Sequence, residues 1–154
     1  MPETDRSVNH STFVVERTFD AAPPRVFAAW ADPEAKARWF GNPDQGVAEY
    51  ELDFQVGGRE YNRGEVEGQE YTYEARYQDI VPDERIVYAY DMHVGDRRIS
   101  VSLGTVELEP EGDGTRLTYT EQGAYLDGLD TPEQRQSGTG GLFDALAEEL
   151  ARER

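Results

Sequence analysis

The chain has 154 residues, with 32 Asp and Glu against 15 Lys and Arg for a formal net charge of -17, 11% aromatic residues and no cysteine. That charge repels phosphate backbones and anionic lipid, which sets aside nucleic acid and membrane surfaces as partners. The missing cysteines set aside disulfides, thiolate metal ligands and a cysteine nucleophile.

The length fits one domain. No apolar run approaches the roughly 18 residues needed to span a bilayer. Met1-Pro2-Glu3-Thr4-Asp5 also lacks the basic-then-apolar order of a signal peptide, so a cytoplasmic location is expected. Lys36 is the only lysine, and all other fixed positive side chains are arginine. Such an acid-rich, lysine-poor surface suits a halophilic protein, whose self-repulsion is screened by salt. An ordinary acidic protein is the alternative.

In chain order, residues 1–10 read as a flexible polar tail and 11–154 as a single domain. Phe13, Val15 and Phe19 alternate within Thr12 to Phe19 and predict a first strand. Pro23-Pro24 opens a helix carrying Val26, Phe27 and Trp30 at helical spacing. Asp32 caps a second short helix that starts at Pro33 and ends near Trp39-Phe40-Gly41. From Val47 to Ala124 the pattern is strand and turn. Gly57-Gly58, Glu67-Gly68, Pro82-Asp83, Gly95-Asp96 and Asp113-Gly114 supply the turns of a meander. Between Ile99 and Leu108 the apolar parity switches at Gly104, which predicts a bulge there. Thr131-Pro132-Glu133-Gln134 marks the start of a long last helix, with Leu142, Leu146 and Leu150 along one side. Gly138, Gly140 and Gly141 each cost that helix about 1 kcal/mol relative to alanine. Either the helix bends there or something approaches its backbone.

The order strand, two helices, meander, long helix resembles the SRPBCC or START-like superfamily. The local motifs resemble its branch of heat-shock-protein ATPase activator homologues. They are Phe19-Asp20-Ala21, Val26-Phe27-Ala28-Ala29-Trp30, Ala31-Asp32-Pro33-Glu34 and Arg38-Trp39-Phe40-Gly41, then Val56-Gly57-Gly58-Arg59-Glu60-Tyr61 and Ile80 to Tyr88. Thr115 to Thr120 and Gly141-Leu142-Phe143-Asp144-Ala145-Leu146 complete the match. The resemblance implies an α+β helix-grip fold, a curved antiparallel sheet around the C-terminal helix. It also implies a tryptophan directly after the glycine matching Gly138, where this chain has Thr139.

The chemistry-bearing residues are few. With only His10 and His93, no Ser-His-Asp arrangement or histidine-rich metal site is expected, and no cofactor is called for. Tyrosines crowd the predicted strands, and on the inner face of a curved sheet they would line an aromatic pocket or simply fill the core. Tyr61, Tyr73, Tyr88 and Tyr119 carry both readings. Trp39 is either a lid or a core anchor at the pocket entrance, and Thr139 and Leu142 bring the helix side of the pocket. Arg59 and Arg63 share the parity of Tyr61, for a ligand carboxylate or for surface salt bridges. The expected function is non-catalytic binding of a small hydrophobic or aromatic molecule in a cavity between sheet and last helix. An aromatase or cyclase type of enzyme using that cavity, or a co-chaperone-like interaction module, are the alternatives. No protein partner is specified.

Overall fold

Alternation of inward apolar and outward polar residues organises the chain into strands from its first described segment onward. The computed structural model describes residues 6–152. In order, the elements are β1 (Val8–Phe19), α1 (Pro23–Ala31), α2 (Pro33–Trp39), β2 (Val47–Leu52), β3 (Arg59–Val66), β4 (Gln69–Val81), β5 (Arg85–Val94), β6 (Arg97–Glu111), β7 (Gly114–Leu126) and α3 (Pro132–Arg152). The strands form one antiparallel sheet ordered β1-β7-β6-β5-β4-β3-β2. This curved sheet, with two short helices after β1 and a long last helix, is the expected α+β helix-grip architecture.

β1 starts earlier than the sequence suggested. Val8, Asn9 and His10, assigned to the tail, pair with Leu126, Tyr125 and Ala124 because β7 runs far enough to offer them backbone partners. Residues 1–5 of that tail lie outside the described residues.

Asp32 caps α2 by accepting from the Glu34 amide at 3.1 Å. Trp39, at the end of α2, donates from Nε1 to the Ala29 carbonyl at 2.9 Å and meets the Trp30 ring edge-on at 4.9 Å. The two short helices are thereby locked together and lie over the open side of the sheet.

The expected bulge at Gly104 is not there. Gly104 pairs in continuous register with Tyr88 and Glu121, and the irregularity in that ladder falls between Met92 and His93 instead. The inward residues of β6 are Ser100, Ser102, Gly104, Val106 and Leu108, while Val101 and Leu103 face outward and are exposed. Apolar character therefore misreports the parity of this strand. Gly104 serves a close approach: a Cβ on it would lie 2.8 Å from the Tyr119 hydroxyl and 2.9 Å from Tyr88 Cζ.

α3 begins as predicted, with the Gln134 amide donating to Thr131 Oγ1 at 3.1 Å. It packs against β1, α1 and α2 and seals the core with Phe143, Leu146 and Leu150. The helix continues through its glycines. Arg17 on β1 approaches Gly140 and donates to its carbonyl at 3.2 Å, whereas a Cβ on Gly138 would meet nothing within 4 Å.

Candidate functional site

Gly138, exposed on α3, stands at the edge of a half-open cavity of about 300 Å3 lined by the concave face of the sheet, α2 and the first half of α3. Of the residues singled out from sequence, Trp39, Tyr73, Tyr88, Tyr119, Thr139 and Leu142 contribute to its wall. The aromatic part is continuous: Tyr73 and Tyr90 have ring centroids 4.8 Å apart, Tyr90 and Tyr88 5.9 Å, and Tyr88 and Tyr119 6.5 Å. Phe40 closes edge-on against Tyr73 at 5.0 Å. Trp39 is almost wholly buried, so it is both a core anchor and a piece of cavity wall.

Tyr61 is not part of this wall. The inward residues of β3 are Glu60, Asn62 and Gly64, which puts Tyr61 on the opposite face, where its ring lies under the Arg59 guanidinium at 4.4 Å. Arg59 and Arg63 also face outward. They pair with Glu51 and Glu74, and with Glu49 and Glu70, respectively.

Two buried charge clusters were not anticipated from the sequence. The first centres on Glu121 of β7, which accepts from Tyr119 at 2.6 Å, from Tyr90 at 2.9 Å and from Arg135 at 3.4 Å. Tyr88 donates to the Tyr119 hydroxyl at 3.3 Å, which extends the chain of hydroxyls along the wall. Arg135, on the first turns of α3, also donates to the Tyr90 hydroxyl, Ser100 and Asp130 at 2.8, 2.9 and 2.7 Å. Its donors are largely satisfied by protein. Ser100 faces inward because this guanidinium needs a small acceptor there.

The second cluster centres on Glu60 of β3. Lys36 donates to it at 2.9 Å, Tyr50 at 2.6 Å and Tyr77 at 2.8 Å. The Lys36 ammonium is boxed by the rings of Trp30, Trp39 and Phe40, with centroids 4.9, 5.4 and 4.8 Å away. Lys36, Trp30, Trp39 and Phe40 all line the cavity. The Trp30 indole N–H is buried and, among the described residues, has no hydrogen-bond partner.

Burial decides the protonation chemistry of the wall. It pushes Tyr73, Tyr88, Tyr90 and Tyr119 up from the ordinary tyrosine value, and in each case the Glu60 or Glu121 charge adds to the effect. These hydroxyls are therefore donors and weak acids at neutral pH, not bases. Burial also lowers Lys36, against the opposing pull of Glu60. Burial opposes the Arg135 charge as well, but there Tyr90, Glu121 and Asp130 outweigh it and raise the group further. Among the described residues no group of three or more His, Asp or Glu side chains is placed to hold a metal ion.

The family model described as activator of Hsp90 ATPase homolog 1-like protein matches residues 20–152. The chain belongs to this family. Solved structures agree with it. The Mll3558 protein of Rhizobium loti is 53% identical with a TM-score of 0.87, over 93% of this chain and 99% of that one. A protein of Rhizobium leguminosarum is 45% identical with a TM-score of 0.93, over 97% and 100%. CalU16 of Micromonospora echinospora, 19% identical with a TM-score of 0.65 over 97% and 87%, shares the fold. No curated protein matches. Among the described residues no helix is long and apolar enough to cross a membrane.

Both missed cations had a signal in the sequence. Arg135 extends the helical stripe of Thr139, Leu142, Leu146 and Leu150 by one turn, so it points the same way as they do. Lys36 is the one lysine in a chain that otherwise uses arginine.

Proposed function

We propose that this family member binds a small aromatic or hydrophobic molecule in the cavity between sheet and α3, within a single domain that includes β1 from Val8 onward. The observation that carries the reading is the combination of a cavity of about 300 Å3 with a wall of adjoining tyrosine rings and a glycine, Gly138, that adds no side-chain bulk at its edge. Small-molecule sites have this character, mainly aromatic with a few placed polar groups, and begin at about this volume. Trp39, Tyr73, Tyr88, Tyr119, Thr139 and Leu142 are the contact residues in this reading. Tyr61 is not among them. The acidic net charge argues against nucleic acid as the ligand.

Native mass spectrometry of protein purified without denaturation tests the reading, together with titration of a small aromatic probe followed by Trp30 and Trp39 fluorescence. A co-purifying mass or saturable quenching supports it. An empty protein that no aromatic probe quenches contradicts it.

A catalytic use of the same cavity, of the cyclase type, draws on one observation: a buried lysine in the wall beside a carboxylate and a set of hydroxyl donors. Turnover of a carbonyl-containing aromatic substrate that is lost in Lys36→Arg is the outcome this second reading predicts.

A further inference from the structure

We propose that Lys36 is a covalent capture site for carbonyl compounds: an aromatic aldehyde or ketone in the cavity condenses with its Nζ to a protonated Schiff base paired with Glu60. This rests on the ligand-binding reading of the cavity and specifies the chemical class of the ligand.

The argument begins with hydrogen-bond accounting. An ammonium has three donors, and among the described residues Lys36 Nζ has one acceptor, Glu60 Oε2. Arg135, the other cation of the cavity, spends its donors on Tyr90, Ser100, Glu121 and Asp130. Lys36 is therefore the cation left with capacity for something else in the cavity. Surface pairing does not explain it, because the side chain is 3% exposed and the chain uses arginine for its surface ion pairs.

The surroundings suit the reaction. A lysine becomes a nucleophile when burial favours its neutral form, and burial lowers this one. Glu60 is within reach to take a proton from the ammonium, and Tyr50 and Tyr77 already donate to the same carboxylate. The freed amine attacks the carbonyl carbon, the carbonyl π bond opens, and a carbinolamine forms. Its oxygen then leaves as water, carrying two of the three original ammonium protons. The nitrogen keeps one proton and the positive charge as an iminium. Atoms and charge balance without an oxidant, a reductant or a cofactor. The iminium inherits both partners of the ammonium, the Glu60 carboxylate and the rings of Trp30, Trp39 and Phe40, whose faces stabilise either cation. Tyr73 and Tyr88 then offer the flat apolar surface that an aromatic carbonyl compound would stack on.

The test uses the full chain, benzaldehyde as the probe and cyanoborohydride to trap the imine, read by intact mass and peptide mapping. Lys36 Nζ and the terminal amine are the chain's only primary amines, so the map is unambiguous. The expected result is one saturable adduct on Lys36, formed about tenfold or more faster in the folded chain than in urea. Lys36→Arg should lose that adduct while still melting cooperatively. Labelling confined to the terminal amine, or slower labelling of Lys36 in the folded chain than in urea, overturns the proposal and leaves Lys36 a structural ion pair. Benzyl alcohol, which has the ring but no carbonyl, separates the two claims. If it binds and benzaldehyde leaves Lys36 unlabelled, the covalent inference fails and the binding reading stands. If neither compound binds, both fail.

Discussion

Lys36 Nζ lies 2.9 Å from Glu60 Oε2, and neither side chain exposes more than 3% of its surface. Removing one partner of such a pair leaves an uncompensated buried charge, which typically costs about 3 to 5 kcal/mol. Lys36→Met should show a loss of that size in urea unfolding. Adding Glu60→Gln should restore much of it, because the amide carries no charge, its oxygen accepts from one of Tyr50 and Tyr77, and its NH2 donates to the hydroxyl of the other. A double variant as unstable as Lys36→Met alone would mean that the pair is not what holds this part of the core.

The helix that closes the core offers a simpler prediction. Leu146 is fully buried, so Leu146→Ala should cost about 2 to 5 kcal/mol. A loss within experimental error would place α3 on some other face of the sheet.

The strand tyrosines and the helix starts were legible because alternation and capping are local. Tyr73, Tyr88 and Tyr119 follow the period-two rule and face inward. Tyr61 keeps the same alternation on the opposite face, because β3 turns Glu60 and Asn62 inward, and their burial is made tolerable by partners on or beside α2, β2 and β4 that no local pattern reveals. The parity of β6 was misread in the same way. Its inward Ser100 accepts from Arg135 and its inward Ser102 is buried with no hydrogen-bond partner among the described residues, while Val101 and Leu103 face solvent. A buried charge is invisible to hydrophobic patterning until its counterion is known, so apolar periodicity alone places neither Lys36 nor Arg135 in the site.

Alkaline titration follows from the buried hydroxyls. Tyr50, Tyr73, Tyr77, Tyr88, Tyr90 and Tyr119 are all raised above the ordinary value of 10.0, so the native state holds these protons where the unfolded state has lost them. Their contribution to stability is complete below pH 10.0 and falls as pH rises beyond it. Phenolate absorbance should therefore appear late and together with loss of ellipticity. Smooth ionisation near pH 10.0 with the fold unchanged would contradict the burial of this wall.

Salt should stabilise the protein if its acidic excess is a halophilic adaptation. Screening lengths fall from about 30 Å at 0.01 M to about 3 Å at 1 M, so the net charge of -17 repels itself less as salt is added. The Tm is expected to rise with potassium chloride over that range. A flat or falling Tm would leave an ordinary acidic protein.

The binding cavity itself is tested most directly by Thr139→Trp. Thr139 stands in the wall next to Gly138, at the position where the family resemblance implies a tryptophan, and its hydroxyl donates to the Arg135 carbonyl at 3.0 Å. An indole there should occupy open space, so the Tm should hold or rise while binding of a small aromatic probe disappears. If the region is packed solid instead, the same change overpacks it and costs about 1 to 3 kcal/mol. One melting curve beside one probe titration distinguishes the cases. A stable variant that has lost the probe binding of its parent is the predicted result, and a destabilised variant of a parent that binds no probe would contradict the account.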